Sequence, residues 1–394
     1  MANAAALDDL KAYEVDSARG FLPAQDPLAA LPAGFEPWDE LAAELPRLIL
    51  TGRLRPILES LPELDPSALR GEGELRRAML VLSFLGHAYV WSGAPAPRIP
   101  RNLAVPWCAV AERLGRPPVL SYASYALDNW RLYDPDGPVV LGNIALLQNF
   151  QGGADEDWFI GVHVDIEFRA APILDAIGPL LRGVERGDAR AVEAQLARVA
   201  QALQALVAAL RRMPEHCDPY VYYQRVRPYI HGWANHPALP QGVVYEGVER
   251  LRGRGQKLRG ETGAQSGIVP VVDALLRVEH ADDPLRGYLH EMRAYMPPAH
   301  RAFLETVEAA PDLRAYARGH AGSYPELSEI YDECLHWLEA FRSLHLDYAA
   351  QYIFRQAQAS YANPTAVGTG GTPFMPYLKK HRDETALRRL GTPS

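Results

Sequence analysis

The helical character of the chain is clearest in the stretch Val192-Glu-Ala-Gln-Leu-Ala-Arg-Val-Ala-Gln-Ala-Leu-Gln-Ala-Leu-Val-Ala-Ala-Leu210. Its larger apolar residues recur every three or four positions, which places them on one face of an α-helix. Alanine fills many of the positions between them, and alanine has the highest intrinsic helix propensity. The stretch therefore predicts a long amphipathic helix with one buried face.

Other segments extend this pattern. Residues 1 to about 60 predict short helices separated by prolines, and further helices are predicted from Leu75 to Val90 and from Tyr122 to Trp130. A long helix is predicted from Glu326 to Ala357, with an apolar stripe at Ile330, Cys334, Trp337, Phe341, His345, Tyr348 and Tyr352. Alternating strands are few, and Pro138-Val-Val-Leu is the best example. We therefore expect a mostly helical protein.

A candidate domain boundary lies near residue 150. The segment Gln151-Gly-Gly-Ala-Asp-Glu-Asp is polar and contains two glycines, which is typical of a linker. We therefore divide the chain into an amino-terminal domain, residues 1–150, and a larger domain, residues 151–394.

The composition narrows the functional classes. A net charge of −8 over 394 residues argues against a general nucleic-acid surface. Three cysteines lie far apart without Cys-x-x-Cys spacing, so buried or inert thiols are expected. The amino terminus is acidic, and no apolar run approaches about 18 residues, so neither a signal peptide nor a membrane span is expected. We expect a cytoplasmic protein, and the acidic surface without a heptad seam favours a monomer.

His345 is the first candidate for chemistry. It falls on the apolar stripe of the long predicted helix, and Arg342 lies one turn earlier on the same side. A histidine that binds haem iron needs an acceptor for its other ring nitrogen, and haem propionates need a nearby cation. However, a lone histidine on such a face is usually a satisfied core residue, and a lone arginine is usually a surface charge. The spacing alone leaves both interpretations open.

The second candidate is His163, in the segment Trp158-Phe-Ile-Gly-Val-His-Val-Asp-Ile-Glu. On a helix, His163 and Glu167 share a face at i,i+4, whereas Asp165 points elsewhere. His-x-Asp with a distant histidine could instead form the facial triad of a non-haem iron site, although such triads usually lie on strands. A histidine bonded to a neighbouring backbone group fits the spacing equally well.

The third candidate is Tyr222-Tyr-Gln-Arg-Val-Arg227. Tyrosines followed by arginine suit a pocket that stacks an aromatic ring and binds a carboxylate, but they also suit the edge of an amphipathic helix. Two glycine-rich segments, Gly260-Glu-Thr-Gly-Ala-Gln-Ser-Gly267 and Gly368-Thr-Gly-Gly-Thr372, lack the Gly-Lys-Ser/Thr of a phosphate loop. They can present backbone N–H groups to a ligand or simply turn the chain.

Further motifs accompany these candidates along the chain: Arg19-Gly-Phe-Leu-Pro, Asp26-Pro-Leu, Arg101-Asn-Leu-Ala-Val-Pro-Trp, Pro117-Pro-Val-Leu-Ser-Tyr-Ala, Asp128-Asn-Trp, Val244-Tyr-Glu-Gly and Tyr295-Met-Pro-Pro-Ala-His-Arg. Taken together and in this order, they resemble the indoleamine 2,3-dioxygenase family over nearly the whole chain. Each motif is short, whereas the ordered set is highly specific.

The resemblance implies an all-α fold in which a small amino-terminal helical domain caps a large helical domain that holds haem b. It implies that His345 is the proximal iron ligand and that Arg342, Asp273 and Gly263 contact the haem. The positions that match the substrate pocket are Tyr122, Tyr125, Ala126, Phe159, Tyr222, Tyr223, Arg227, Thr262 and Thr369. Arg227 matches the arginine that binds the substrate carboxylate, and Thr369 belongs to the loop that closes on substrate.

The activity that the resemblance implies is insertion of both atoms of O2 across the C2–C3 bond of L-tryptophan. The product is N-formylkynurenine, and an electron donor is needed to keep the haem ferrous. Two other functions stay open: oxidation of a different indole, including mono-oxygenation, and haem binding without turnover. Arg227 favours an enzyme, because a haem carrier has no use for a carboxylate clamp.

The chain departs from the family pattern at several pocket positions. His163 stands where the mammalian enzymes have serine, whereas the related tryptophan 2,3-dioxygenases use a distal histidine. Tyr222 and Tyr223 replace phenylalanines, and Tyr125 is bulkier than the cysteine familiar there. We therefore expect His163 to be a catalytic-site residue that orients the indole N–H rather than an essential base.

Overall fold

The computed structural model describes residues 4–281, 284–359, 368–369 and 374–391. The α-helices before residue 150 are α1 (Glu36–Ala43), α2 (Leu45–Thr51), α3 (Leu54–Glu59), α4 (Glu72–Trp91) and α5 (Arg101–Arg113). Those that follow are α6 (Ala154–Arg169), α7 (Ala171–Arg186), α8 (Ala189–Arg211), α9 (Pro219–Val221), α10 (Arg227–Ile230), α11 (Ile268–Leu275), α12 (Pro284–Arg293), α13 (Pro298–Glu308), α14 (Leu313–His320), α15 (Pro325–Ala349), α16 (Arg355–Ala359) and α17 (Phe374–Ala386).

Shorter helical turns connect these helices. The 3-10 turns are Ala4–Asp8, Leu10–Tyr13, Pro66–Ala68, Met213–Glu215, Glu249–Leu251 and Gly263–Gln265. The π-helical turns, which carry one residue more per hydrogen-bonded ring than an α-helix, are π1 (Ala123–Leu127), π2 (Tyr222–Val226) and π3 (Ala350–Phe354). Such turns occur mostly as single insertions and are frequent at functional sites.

The predicted all-α fold class is confirmed. The strands that the described residues form are two residues long: β1 (Arg98–Ile99), β2 (Arg131–Leu132), β3 (Ile144–Ala145) and β4 (Val244–Tyr245). β1 pairs with β4 in parallel, and β2 pairs with β3 in antiparallel orientation. The predicted strand at Pro138-Val-Val-Leu is wrong. Val140 N–H bonds to the Pro138 carbonyl at 3.0 Å, and Asn143 N–H bonds to the Val140 carbonyl at 2.9 Å, so the backbone turns there.

The segment predicted to be a linker is instead an ordered helix entry. The Glu156 carboxylate accepts hydrogen bonds from the backbone N–H groups of Phe150, Gln151 and Gly152, at 2.8 to 2.9 Å. Residues 154 to 157 already belong to the first turn of α6, where acidic side chains complement the helix dipole. The boundary near residue 150 stays a prediction.

Two hydrophobic cores organise the molecule. The first core surrounds α4, whose residues 77 to 90 are all buried, and includes Trp107, Trp130 and Trp233. A helix that is buried on every face is apolar all round, which is the pattern of this segment. The second core surrounds α8, which packs against α7 and α15 as its stripe of leucines and valines predicts. The Asp188 carboxylate caps α8 by accepting from Ala191 N–H at 3.1 Å.

A buried histidine joins distant parts of the first core. His87 on α4 accepts from Leu120 N–H through Nε2 at 2.9 Å, and its Nδ1 bonds to the Tyr229 carbonyl at 2.7 Å. Burial lowers the pKa of His87 to about 4, so the ring is neutral. The bonds attach α4 both to α10 and to the chain just before π1.

Two glycines allow a close backbone crossing beside α10. A side-chain carbon on Gly232 would lie 2.1 Å from the Gly260 nitrogen, and one on Gly260 would lie 2.1 Å from the Gly232 nitrogen. Across this crossing, Glu261 N–H donates to the Ile230 carbonyl at 3.1 Å. The crossing holds the end of α10 against the Gly263–Gln265 turn.

The long helix predicted from residue 326 is α15 with its continuation through π3 and α16, and its buried face differs from the predicted stripe. The residues buried on α15 are Leu327, Tyr331, Cys334, Leu335, Leu338, Arg342 and Ala349. Ile330, Trp337 and Phe341 are half-buried, and His345 is exposed. The predicted stripe therefore marks one edge of the buried face, because apolar residues on α15 cover more than one row.

The cysteines are buried and free, as expected. Among the described residues, no helix is both long enough and apolar enough to cross a membrane.

Candidate functional site

His345 lies close to His163 and Arg342. The residue is exposed, yet desolvation by neighbouring protein lowers the pKa of His345 to about 4, with smaller contributions from the charges of His163 and Arg342. The ring is therefore accessible on one side and close to protein groups on the others. The neutral imidazole has a nitrogen lone pair for a metal ion, and no described residue forms a hydrogen bond with either ring nitrogen.

Arg342 lies one turn before His345 and is fixed by an acidic partner. Its Nη2 donates to both oxygens of Asp273, at 2.8 and 2.6 Å, and its Nη1 donates to Thr385 Oγ1. Burial alone would raise the pKa of Asp273, but Arg342 and His280 outweigh it and lower that pKa. The predicted haem contacts Arg342 and Asp273 are therefore a buried ion pair beside the helix turn of His345.

The arrangement fits a histidine that binds haem. Haem iron binds a neutral imidazole nitrogen, and His345 carries one with which no described residue forms a hydrogen bond. The charge of Arg342 acts on His345, so a cation lies close to the same ring. Gly263, predicted to lie at the haem edge, has open space where a side chain would begin.

A group of aromatic side chains from α6, π1 and π2 surrounds His163, whose charge acts on His345. Phe159 is central: its ring centroid is 4.4 Å from that of Tyr222, 4.7 Å from that of His163 and 6.4 Å from that of Tyr125. Tyr122 meets the His163 ring edge-on at 6.0 Å. The structure thus brings together five predicted pocket residues, and buried Ala126 lies beside Tyr125 on π1.

The tautomer of His163 follows from one hydrogen bond. Its Nδ1 lies 2.7 Å from the carbonyl oxygen of Phe159. A carbonyl can only accept, so Nδ1 carries the hydrogen. Burial lowers the pKa of His163, which leaves Nε2 unprotonated at neutral pH. Nε2 can then accept a hydrogen bond, and no described residue occupies it.

Glu167 and Asp165 have other partners than His163. Glu167 accepts from the hydroxyls of Tyr122 and Ser266, both at 2.9 Å, and Asp165 pairs with Arg169 at 2.7 Å. The cluster of potential metal ligands that the described residues form does not include His163 or Asp165. A facial triad at His163 therefore has no support in the described part of the chain.

Arg227 provides a buried positive charge at the end of π2. The residue is 0% exposed, and its guanidinium lies 5.1 Å from the centre of the Tyr223 ring. Burial lowers the pKa of Arg227, which means that the environment disfavours its charge. A buried guanidinium is best stabilised by an anion, and its planar fork matches a carboxylate.

Thr262 and Thr369 both adjoin Glu261, the first along the chain and the second through a hydrogen bond. Thr369 Oγ1 donates to the carbonyl of Glu261, and its own carbonyl accepts from Gly232 N–H at 3.4 Å. Thr262 caps the turn that contains Gly263. Gly370 to Thr372, the rest of the predicted closing loop, lie outside the described residues.

Sequence reasoning missed the groups that support this pocket. Gln265 Oε1 accepts from Tyr122 N–H at 2.9 Å, and Ser266 shares Glu167 with the Tyr122 hydroxyl. Burial raises the pKa of Glu261 to about 8, and its charge acts on the hydroxyls of the pocket tyrosines Tyr122, Tyr125 and Tyr222. The signals in the sequence were an acidic residue inside the Gly260–Gly267 segment and the motif Gly263-Ala-Gln-Ser, which matches the family without indicating what its side chains contact.

Comparison with known proteins identifies the family of the chain. A family model described as indoleamine 2,3-dioxygenase matches residues 9–388. The chain is 37% identical to indoleamine 2,3-dioxygenase 1 of Rattus norvegicus, over 98% of this chain and 96% of the relative. It is 33% identical to indoleamine 2,3-dioxygenase of Saccharomyces cerevisiae, over 95% and 92%. The chain belongs to the indoleamine 2,3-dioxygenase family.

Membership makes the chain an oxidoreductase, a haem-dependent dioxygenase that acts on an indole with O2. Some relatives are named for a different substrate. A 6-hydroxytryptophan 2,3-dioxygenase of Fusarium equiseti is 31% identical, over 96% of this chain and 97% of the relative. Membership in the indoleamine 2,3-dioxygenase family therefore fixes the reaction class more closely than the ring substituents of the substrate.

Proposed function

We propose that this chain inserts both atoms of O2 across the C2–C3 bond of L-tryptophan and releases N-formylkynurenine. The observation that carries the proposal is the fully buried Arg227 guanidinium, whose charge acts on Tyr222, the ring that packs against Phe159 in the aromatic group. An amino acid with a flat ring supplies a carboxylate that can bind Arg227 and an aromatic surface that can pack against the aromatic group.

The cofactor in this proposal is haem b, with His345 as its protein ligand and Arg342 as the cation near its propionates. When bound, the haem supplies the activation of O2, which no side chain can perform. The contribution of the protein is to hold the substrate, exclude water and tune the cofactor. The neutral state of His345 and the charge of Arg342 beside it support this assignment.

Each part of the substrate has a proposed partner. Arg227 binds the carboxylate, and Tyr223 supports the guanidinium from one face. Phe159, Tyr222 and Tyr125 form the walls around the indole. His163 Nε2 accepts the indole N–H, which fixes the ring edge that faces the cofactor.

Ala126, Thr262, Gly263 and Thr369 complete the pocket in this proposal. The bond from Thr369 to the Glu261 carbonyl supports a loop that closes over bound substrate. The proposal further includes a capping domain of residues 1–150 on a catalytic domain of residues 151–394. It also includes a monomeric, cytoplasmic protein that receives electrons from an external donor.

A second candidate substrate is a tryptophan that carries a ring hydroxyl. Tyr125 is buried in the pocket wall, and its hydroxyl has no hydrogen-bond partner among the described residues. A hydroxyl on the indole ring could satisfy it, as the 6-hydroxytryptophan relative suggests. Competition between tryptophan and 6-hydroxytryptophan, followed in wild type and Tyr125→Phe, distinguishes the two substrates.

The decisive experiment is turnover of L-tryptophan with 18O2 by the reduced, haem-loaded protein. Two labelled oxygens in a formyl product support the proposal. One labelled oxygen supports mono-oxygenation, and unchanged tryptophan beside an intact haem spectrum points to another indole.

Arg227→Gln tests the carboxylate clamp. Loss of hydrogen bonds to a charged group costs about 1.5–3 kcal/mol, so kcat/KM for L-tryptophan should fall by roughly 13- to 160-fold. Tryptamine, which has no carboxylate, should bind the variant and the wild type equally. The exposed Arg225 lies two residues earlier, and Arg225→Gln is the matched control. Equal losses with tryptophan and tryptamine would contradict the clamp, provided that the haem spectrum is retained.

A further inference from the structure

Helix α17 carries two potential metal ligands that meet the loop after α11. His381 and Glu384 lie three residues apart on one face of α17, and His280 lies on the loop. One ligand atom from each of the three side chains lies within 4.8 Å of the other two, and all three residues are half-buried. These side chains are separate from the pocket residues described above.

His280 is oriented by carboxylates on both sides. Its Nδ1 lies 2.6 Å from Glu384 Oε2, and its Nε2 lies 3.3 Å from Asp273 Oδ2. In metal sites, a ligating histidine usually donates its second ring N–H to a carboxylate, which fixes the ring and increases its basicity. Asp273 is positioned to serve His280 in this way while Nδ1 faces Glu384.

His381 has a buried nitrogen that the protein does not satisfy. Its Nε2 is inaccessible and has no hydrogen-bond partner among the described residues. The ring packs against that of His280, with centroids 4.2 Å apart. An unsatisfied buried polar atom is costly, and coordination of a cation would use its lone pair.

We propose that His280, His381 and Glu384 bind a divalent transition-metal ion, with zinc as the first choice. Two imidazoles and one carboxylate are a ligand set that zinc accepts, with water in the fourth position. Ligand atoms on tetrahedral zinc, at bonds of about 2.0–2.1 Å, lie about 3.4 Å apart. The three side chains therefore need shifts of only about 1 Å.

A metal ion here would connect two regions of the enzyme. It would join α17 to the loop after α11. It would also fix the His280 ring, which contacts the Asp273 carboxylate through Nε2. Asp273 also binds Arg342, three residues before His345. The ion would therefore stabilise the carboxyl-terminal helix and brace the ion pair next to the proximal histidine.

The test measures metal content in untagged, haem-loaded protein. The protein is first treated with a chelator and then dialysed against buffered free zinc, and mass spectrometry of the elements counts zinc and iron per chain. We expect one zinc per chain in addition to the haem iron. His381→Gln and Glu384→Gln should each bind zinc at least tenfold more weakly, and zinc should raise the melting temperature of the wild type only.

His336→Gln is the matched control, because His336 is an exposed histidine on α15, and it should bind zinc like the wild type. Zinc content that is zero in the wild type, or unchanged in both ligand variants, would overturn the proposal. His280 would then be a protonated histidine between Asp273 and Glu384. The Soret band of each variant reports whether the haem site is intact, and two independent ligand variants guard against misfolding of either one.

Discussion

At the scale of single residues, the bond between His163 and the Phe159 carbonyl determines what the pocket can recognise. It turns Nε2 into an acceptor, and burial keeps the ring neutral. A serine at this position could donate or accept, whereas this histidine can only accept. The sequence could predict a pocket histidine but not its tautomer, because the tautomer depends on the rotamer that α6 imposes.

His163→Ala should therefore lose recognition of the indole N–H. One hydrogen bond is worth about 0.5–1.5 kcal/mol, so the dissociation constant for L-tryptophan should rise by roughly 2- to 13-fold while haem content stays unchanged. The benzothiophene analogue of tryptophan lacks the N–H, and its affinity should not depend on His163. Spectral titration of both ligands measures the difference. Loss of haem from the variant would instead reverse the proximal and distal sides.

At the scale of elements, periodicity predicted the long helices well and missed the π turns. Apolar spacing predicts α4, α8 and α15, because each of these helices must bury one or more faces. A π turn inserts one residue and shifts the pattern by less than a third of a turn, so π1 lies hidden inside the helix predicted from Tyr122 to Trp130. The pocket tyrosines Tyr125 and Tyr222 lie on such turns, so their directions could not be predicted from the sequence.

The backbone crossing of Gly232 and Gly260 holds the end of α10 in place. Gly260→Ala places a side-chain carbon 2.1 Å from the Gly232 nitrogen, so the backbone must separate. We expect a loss of about 1–3 kcal/mol in the free energy of unfolding, together with weaker binding of tryptophan through Arg227. Chemical denaturation measures the free energy of unfolding, and spectral titration measures the affinity for tryptophan. Gly319→Ala has open space on α14, so it should leave tryptophan binding unchanged and raise the free energy of unfolding by about 0.5–1 kcal/mol. Similar losses in the two variants would refute the crossing as the cause.

At the scale of the whole molecule, buried ionisable groups make the free energy of unfolding depend on pH, and glutamates and histidines act in opposite directions. Burial raises the pKa of Glu156 and Glu167 to about 7 and that of Glu261 to about 8. Burial lowers the pKa of His87 to about 4 and that of His300 to about 3. Composition cannot reveal these groups, since most glutamates and histidines of a soluble protein are exposed.

The signs of these shifts predict that stability falls below about pH 4.5, where only the histidines act, and above about pH 6.5, where only the glutamates act. Above pH 4.5 the unfolded chain releases carboxyl protons that the folded chain keeps, so each buried glutamate reduces stability by about 1.4 kcal/mol per pH unit until its folded pKa is reached. Below pH 6.5 the unfolded histidines bind protons that the folded ones cannot, so stability also falls towards acid. Between about pH 4.5 and 6.5 the glutamates and the histidines act in opposite directions on the free energy of unfolding.

Of these three glutamates, Glu261 alone still binds its extra proton between pH 7 and 8, so it should make the largest contribution among them to the loss of stability in that interval. In Glu261→Gln, the free energy of unfolding should stay level across that interval, where the wild type loses about 1.4 kcal/mol. Denaturation at both pH values measures the change, and Glu329→Gln, at an exposed position on α15, should retain the wild-type slope. A slope that Glu261→Gln leaves intact would mean that the Glu261 carboxylate reaches solvent or a cation when it ionises.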